Sequence, residues 1–84
     1  MAFFYILQSL KAKSFYTGSC DEINARLKKH NSGSVRSTKA FRPWELVYKE
    51  HYKLVSKAKK REYQVKSWKS RKAIEKLILN GPIV

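Results

Sequence analysis

A change of period at Asp21 constrains the fold more than any other feature of this sequence. Ahead of it, Phe3 to Gln8 reads FFYILQ and Phe15 to Ser19 reads FYTGS. Runs of aromatic and branched residues of this length suit a pleated, half-buried surface, so both are expected as strands. The polar segment Ser9 to Ser14 between them makes the turn of a hairpin. Gly18, inside the second run, marks a bulge or a place where another backbone or a ligand comes close. After Asp21 the apolar positions return at helical spacing. Ile23, Leu27 and His30 fall at i, i+4 and i+7, with Asp21 as N-cap and Gly33 as stop, which predicts a helix of about two to three turns.

The remaining elements follow from the same two periods. Asn31 to Pro43 is a loop. Trp44 to Tyr52 is a third strand, with Trp44, Leu46 and Tyr48 inward and Glu45 and Lys49 outward. A second helix runs from Val55 to about Trp68, with Val55, Ala58, Glu62 and Val65 on its core stripe. A break near Ser70 precedes a final helix that carries Ala73, Ile74, Leu77 and Ile78 on one side and ends at Gly81-Pro82. The order β-β-α-β-α-α predicts an α+β fold, a three-stranded, mainly antiparallel sheet flanked by helices. A chain of 84 residues makes a single domain over 1–84, its core spanning about residues 2–79.

Charge narrows the function. Nineteen basic residues against six acidic ones leave a net charge of +13. Self-repulsion of this size is relieved by an anionic partner, and nucleic acid gains further from counterion release at each phosphate neutralised. Because 43% of the chain is hydrophobic, a disordered basic tail is excluded. No segment has the clean amphipathic division of a helix that lies on a membrane, and MAFFYIL is too short to span one and lacks the features of a secretion signal. The expected location is therefore cytoplasmic. Cys20 is the one cysteine, which excludes an internal disulfide and a cysteine-based zinc finger; it reads as a small packed side chain.

The second helix holds the main chemical anomaly. Between His51 and Ile74 stand nine Lys or Arg residues and one acid, Glu62. It takes a position where the helical stripe calls for an apolar residue, and a carboxylate there costs free energy unless it is paired or bound to a metal. Two accounts stay open: an ordinary ion pair with Lys66 or Lys59, or a lone carboxylate holding one Mg²⁺ or Mn²⁺, an ion that commonly takes few protein ligands. Arg26 and His30 share a helix face. The first suits a phosphate clamp and the second a proton shuttle, or they are a solvated arginine beside a core-closing histidine. Tyr5 and Tyr16 are brought side by side by the hairpin, either as packing or as phenols near a reacting water.

Taken together, these residues resemble the GIY-YIG endonuclease family, and in particular its small single-domain, UvrC-like members, related to the nuclease part of that excision-repair protein. The resemblance runs from FFYILQS and FYTGS through ARLKKHNSG and STKAFRPWELVY to AKKREYQVKSWKS, nearly the whole chain. It implies a monomeric, divalent-metal-dependent hydrolase of DNA phosphodiesters, directed by structure rather than sequence and at home in DNA repair. Glu62 would hold the metal and Arg26 would stabilise the transition state. One of Tyr5 and Tyr16 would activate the water and the other would position it or the phosphate, while His30 matches a position where relatives carry His or Tyr. The chain departs from the family in three places. Phe3 and Phe4 replace the glycine and isoleucine of the first motif, the second motif reads Tyr-Thr-Gly, and the asparagine that larger members carry near the C-terminal end has no convincing counterpart, Asn80 included.

Arg36, Lys39 and Arg42 in the loop, with Lys59, Lys60, Lys66, Lys69, Arg71 and Lys72 on the helices, are the expected docking surface for a phosphate backbone. Trp44 and Trp68 are expected to pack rather than stack on bases. The rival expectations are a non-cleaving nucleic-acid-binding module of the same fold and a basic adaptor for an acidic protein.

Overall fold

The computed structural model describes residues 1–81. Strand β1 (Ala2–Ser9) and strand β2 (Phe15–Cys20) form the hairpin. Helix α1 (Ile23–Asn31) follows, then a short 3₁₀ turn (Lys39–Phe41), strand β3 (Trp44–Tyr52), helix α2 (Val55–Trp68) and helix α3 (Arg71–Asn80). The three strands form one sheet in the order β2-β1-β3, with both pairings antiparallel. The α+β class and element order therefore match the reading of the sequence.

The sheet is covered on both faces. On one, Tyr5, Leu7, Cys20 and Trp44 pack with Ile23 and Leu27 of α1. On the other, Phe4, Ile6 and Tyr48 pack with Val65 and Trp68 of α2 and with Ile74, Leu77 and Ile78 of α3. The central strand β1 thus buries both its odd and its even residues, which is why it reads as an unbroken apolar run.

Several local details differ from expectation. Trp44, Leu46 and Tyr48 do not share a face. Ile6 pairs with Tyr48 while Leu7 pairs with Leu46, so Val47 is the extra residue of a bulge. That bulge sends Trp44 and Leu46 to the α1 side and Tyr48 to the α2 side. Val55 leaves the core stripe and is 52% exposed, because it opens the first turn of α2 before the helix settles on the sheet. Glu22, not Asp21, occupies the N-cap of α1, and no side-chain bond forms there. Gly33 does stop the helix, with φ of +85° just past the Ser32 cap. Ser70 caps α3, its hydroxyl accepting from the Ala73 N–H at 3.2 Å. Of the expected stop Gly81-Pro82, Gly81 caps α3 and Pro82 lies outside the described residues.

Candidate active site

A cleft of about 390 Å³ opens along the β2 edge of the sheet, lined among others by Tyr5, Tyr16, Gly18, Ser19, Arg26 and Glu62. Its construction follows from the topology. With β1 central, β2 is an edge strand, so α1 on one face and α2 on the other both reach its open side. Arg26 arrives from α1 and Glu62 from α2. Tyr5 reaches the cleft from the middle of the sheet because its pairing partner is Gly18. A Cβ at Gly18 would stand 2.6 Å from the Tyr5 hydroxyl oxygen, so only glycine leaves room for the phenol. Four of the five residues singled out from the sequence therefore line one cavity.

His30, the fifth, stands behind it. The residue is 1% exposed. Its Nε2 lies 3.1 Å from the Tyr5 hydroxyl and its Nδ1 lies 2.9 Å from Thr38 Oγ1. Thr38 Oγ1 donates to the Val35 carbonyl at 3.3 Å, so it accepts from His30 Nδ1–H, and Nε2 is left to accept from the Tyr5 O–H. Burial pushes the His30 pKa below its ordinary value, and Arg26 and Lys29 push it the same way. The ring is held neutral, in the tautomer this chain of bonds requires. Burial likewise raises the Tyr5 phenol above its ordinary range, with Tyr16 and Cys20 adding to the rise and Arg26 opposing it. Tyr16 meets the edge of the His30 ring at a centroid distance of 4.8 Å, which fixes the second phenol beside the first.

Glu62 sits between the fully buried Ala58 and Val65, on the core stripe but at its rim. Ser19 donates to one carboxylate oxygen at 2.7 Å, and Lys66 donates to the other at 2.5 Å. The helical ion pair expected as the bland account is thus present, and Lys66 stands on the acid rather than free for phosphate. Among the described residues no group of three or more His, Cys, Asp or Glu is placed to share a metal. The donors at the cleft are the Glu62 carboxylate with the Ser19 hydroxyl on it, and the Asp21 carboxylate elsewhere in the lining. Glu62 would be the residue to hold a hard divalent ion, which needs few protein ligands.

All nine basic residues assigned to docking are exposed, but they do not form one uniform surface. Lys59 lines the cleft. Lys60 lines a separate hollow with Tyr52 and Arg61. Arg42 folds back on its own loop, donating to the Lys39 carbonyl at 2.9 Å. Arg71 lies over the Phe15 ring, 4.7 Å from its centroid, and donates to the Lys13 carbonyl at 2.7 Å. Trp44 is buried, with Nε1 donating to the Thr38 carbonyl at 2.8 Å. Trp68 is half-buried under Arg61, so both tryptophans pack as expected. Asn80 lines a hollow with Trp68 and Leu77 that shares no residue with the cleft.

Sequence reasoning missed three contributors. Ser19 and Thr38 are polar residues among many, and nothing in their spacing connects them to Glu62 or His30. Glu50 is the third. On the α2 side of the sheet its carboxylate accepts from the Tyr48 and Tyr52 hydroxyls, and from Arg61 Nε at 3.0 Å and Nη2 at 3.2 Å. Burial works to raise its pKa, yet the bonds from Tyr48, Tyr52 and Arg61 outweigh that and hold it below the usual carboxylate value. Burial, followed by the Glu50 carboxylate, pushes Tyr48 and Tyr52 up to about 12. This network ties α2 to β3 one residue away from Glu62.

Comparison with known proteins places the chain in a family. The GIY-YIG catalytic domain family matches residues 1–76. UPF0213 proteins of Staphylococcus aureus strains Mu3 and Mu50 are each 45% identical over 62 residues, covering 73% of this chain and 76% of theirs. The solution NMR structure of a UPF0213 protein from Bacillus halodurans superimposes with a TM-score of 0.59 at 36% identity, covering 96% of this chain and 87% of that one. The two tyrosines of the hairpin, the Arg26 helix and the Glu62 helix all lie inside the matched span, and the chain belongs to the GIY-YIG catalytic domain family.

Proposed function

We propose that the protein is a divalent-metal-dependent endonuclease that hydrolyses DNA phosphodiester bonds and recognises structure rather than sequence. The observation that carries this reading is the convergence of two phenols, a guanidinium and the Glu62 carboxylate on one cleft, where Asp21 and Lys59 also stand. Arg26 presents a planar, permanently charged fork to the phosphate oxygens, where negative charge grows in the transition state. Glu62 holds the Mg²⁺ or Mn²⁺ ion, with the Ser19 hydroxyl fixing the direction of the carboxylate. When bound, that ion polarises the phosphoryl group and offsets charge on the leaving oxygen.

Tyr5 and His30 account for the proton. A free phenolate at Tyr5 is disfavoured by burial, but none has to accumulate. As the attacking water gives a proton to the Tyr5 oxygen, the phenol hydrogen passes to His30 Nε2, and Thr38 steadies the opposite ring nitrogen. Tyr16, wedged against His30, is left to orient the water or the phosphate. The exposed lysines near the cleft, Lys59 first among them, hold the strand by its backbone and carry no base preference.

One observation favours a second reading, a DNA-binding module that does not cleave: both Glu62 oxygens are already engaged, by Ser19 and Lys66. Incubating wild type and Glu62→Ala with branched, nicked and single-stranded DNA in Mn²⁺ or Mg²⁺ separates the two. The nuclease reading expects wild-type cleavage that Glu62→Ala abolishes while binding persists. Arg26→Ala should slow cutting by about 10²–10³-fold, the usual effect of removing one charge-stabilising donor. Tight binding without cleavage on every substrate and metal supports the module instead.

A further inference from the structure

A second cleft lies on the same edge of the sheet. Its volume is about 440 Å³, and its lining includes Phe15, Tyr16, Ser37, Phe41, Trp44 and Lys66. It is continuous with the first in two ways. Tyr16 lines both cavities, and Lys66, at the wall of the second, places its ammonium on the Glu62 carboxylate of the first. The clefts stand in series along β2, one beside Gly18 to Cys20 and the other beside Ser14 to Thr17. At about 3.3 Å per residue they are roughly 10 Å apart, so a phosphate in the first leaves a neighbouring base within reach of the second.

The lining fits a base better than it fits anything charged. Tyr16 and the buried Trp44 form the floor. Phe41 is 44% exposed, an aromatic ring standing out from a strongly cationic surface. Its backbone is pinned. The Phe41 carbonyl accepts from the fully buried Ser9 hydroxyl at 2.6 Å, and its N–H donates to the Thr38 carbonyl at 3.2 Å. With its backbone already fixed, only side-chain rotation is left to lose when something stacks on the ring. Ser37 adds an exposed hydroxyl able to donate to or accept from a base edge. Bases inside a duplex are stacked on each other and do not offer a free face to such a platform, whereas an unpaired base does.

We infer that this second cleft is a subsite for one unpaired nucleotide beside the scissile phosphate, with its base stacked on Phe41, so that the protein selects DNA junctions with a single-stranded flank. The inference rests on the nuclease reading for the position of the phosphate, but it is tested without cleavage. Wild-type protein in EDTA is titrated with a duplex that carries 2-aminopurine either in an unpaired flank at a junction or paired within the helix. The junction should bind about tenfold more tightly, with its fluorescence changing on stacking, and Phe41→Ala should lose that advantage while leaving duplex affinity unchanged. Phe41→Trp should retain it, which separates stacking from any loss of fold.

Equal binding to both oligonucleotides, or an equal loss on both in Phe41→Ala, overturns the subsite. Parallel cleavage assays in Mn²⁺ keep the two readings apart. Cutting by wild type with a junction preference indifferent to Phe41 removes the subsite and leaves the nuclease. A Phe41-dependent preference without cutting on any substrate removes the nuclease and keeps the subsite.

Discussion

Tyr5 lies across Gly18 so closely that a Cβ there would stand 2.6 Å from the phenol oxygen and 2.8 Å from Cζ. The edge strand gives up one side chain so that a residue of the central strand can reach the cleft. Gly18→Ala should therefore act on both stability and site. Overpacking of this kind costs about 1–3 kcal/mol, read as a lower urea midpoint. Cleavage should fall further than the stability loss explains, because the displaced phenol no longer meets His30. A variant with full activity and an unchanged midpoint would show that Tyr5 does not need this space.

His30 makes the fold sensitive to acid. Its pKa is lowered from 6.5 by burial, Arg26 and Lys29, so the unfolded chain takes up a proton at a higher pH than the folded one. The stabilising effect of keeping the ring neutral is whole above about pH 6.5 and is lost as pH falls from there toward the folded value. Urea midpoints measured from pH 7.5 downward should decline through this window, and the decline should shrink in His30→Gln. Cleavage should persist through most of this window and fade only toward the lowered folded value, where the ring of the native protein takes up its proton and no longer accepts from Tyr5.

Glu50 is expected to matter for the fold rather than for chemistry. Glu50→Ala leaves Arg61 and two phenols without their acceptor. Breaking a fully buried pair costs about 3–5 kcal/mol. Here the Arg61 and Glu50 side chains keep 21% and 18% of their surface, so a loss of about 2–3 kcal/mol is expected, with α2 loosened and metal affinity weakened along with it. Thermal unfolding and Mn²⁺ titration together check this. A stable variant with normal metal affinity would reduce the network to decoration.

DNA affinity should be dominated by salt. If about six phosphates are neutralised, binding falls on the order of a thousandfold between 50 and 200 mM salt. Lys59→Ala, at the cleft, should lower the slope by about one. Lys60→Ala, which faces the hollow beside Tyr52, should change it less. Equal effects would mean that the docking surface wraps both sides of α2.

Much of this molecule is already present in its sequence. The change at Asp21 from aromatic and branched runs to helical spacing, the break near Ser70 and the glycine stop at Gly33 are short-range features, and they determine strand, helix and turn without reference to the rest of the chain. Glu62 is visible for a similar reason. One acid among nine cations on an apolar stripe is an anomaly of pattern.

Tertiary structure decided the rest, because it depends on which distant groups come within a few ångströms. The bulge at Val47 leaves no trace in a row of apolar residues, yet it turns Tyr48 to the opposite face and allows it to meet Glu50. His30 is readable as a core-closing histidine, but its partners are not until β1 brings Tyr5 to one nitrogen and the cap of the 3₁₀ turn brings Thr38 to the other. Lys66 reads both as a docking cation and as a partner of Glu62, and only the structure shows it on one carboxylate oxygen while Ser19, from another element, holds the other. Periodicity specifies which face a side chain takes. What it finds there is set by the packing of sheet and helices, where burial makes each polar contact strong enough to matter.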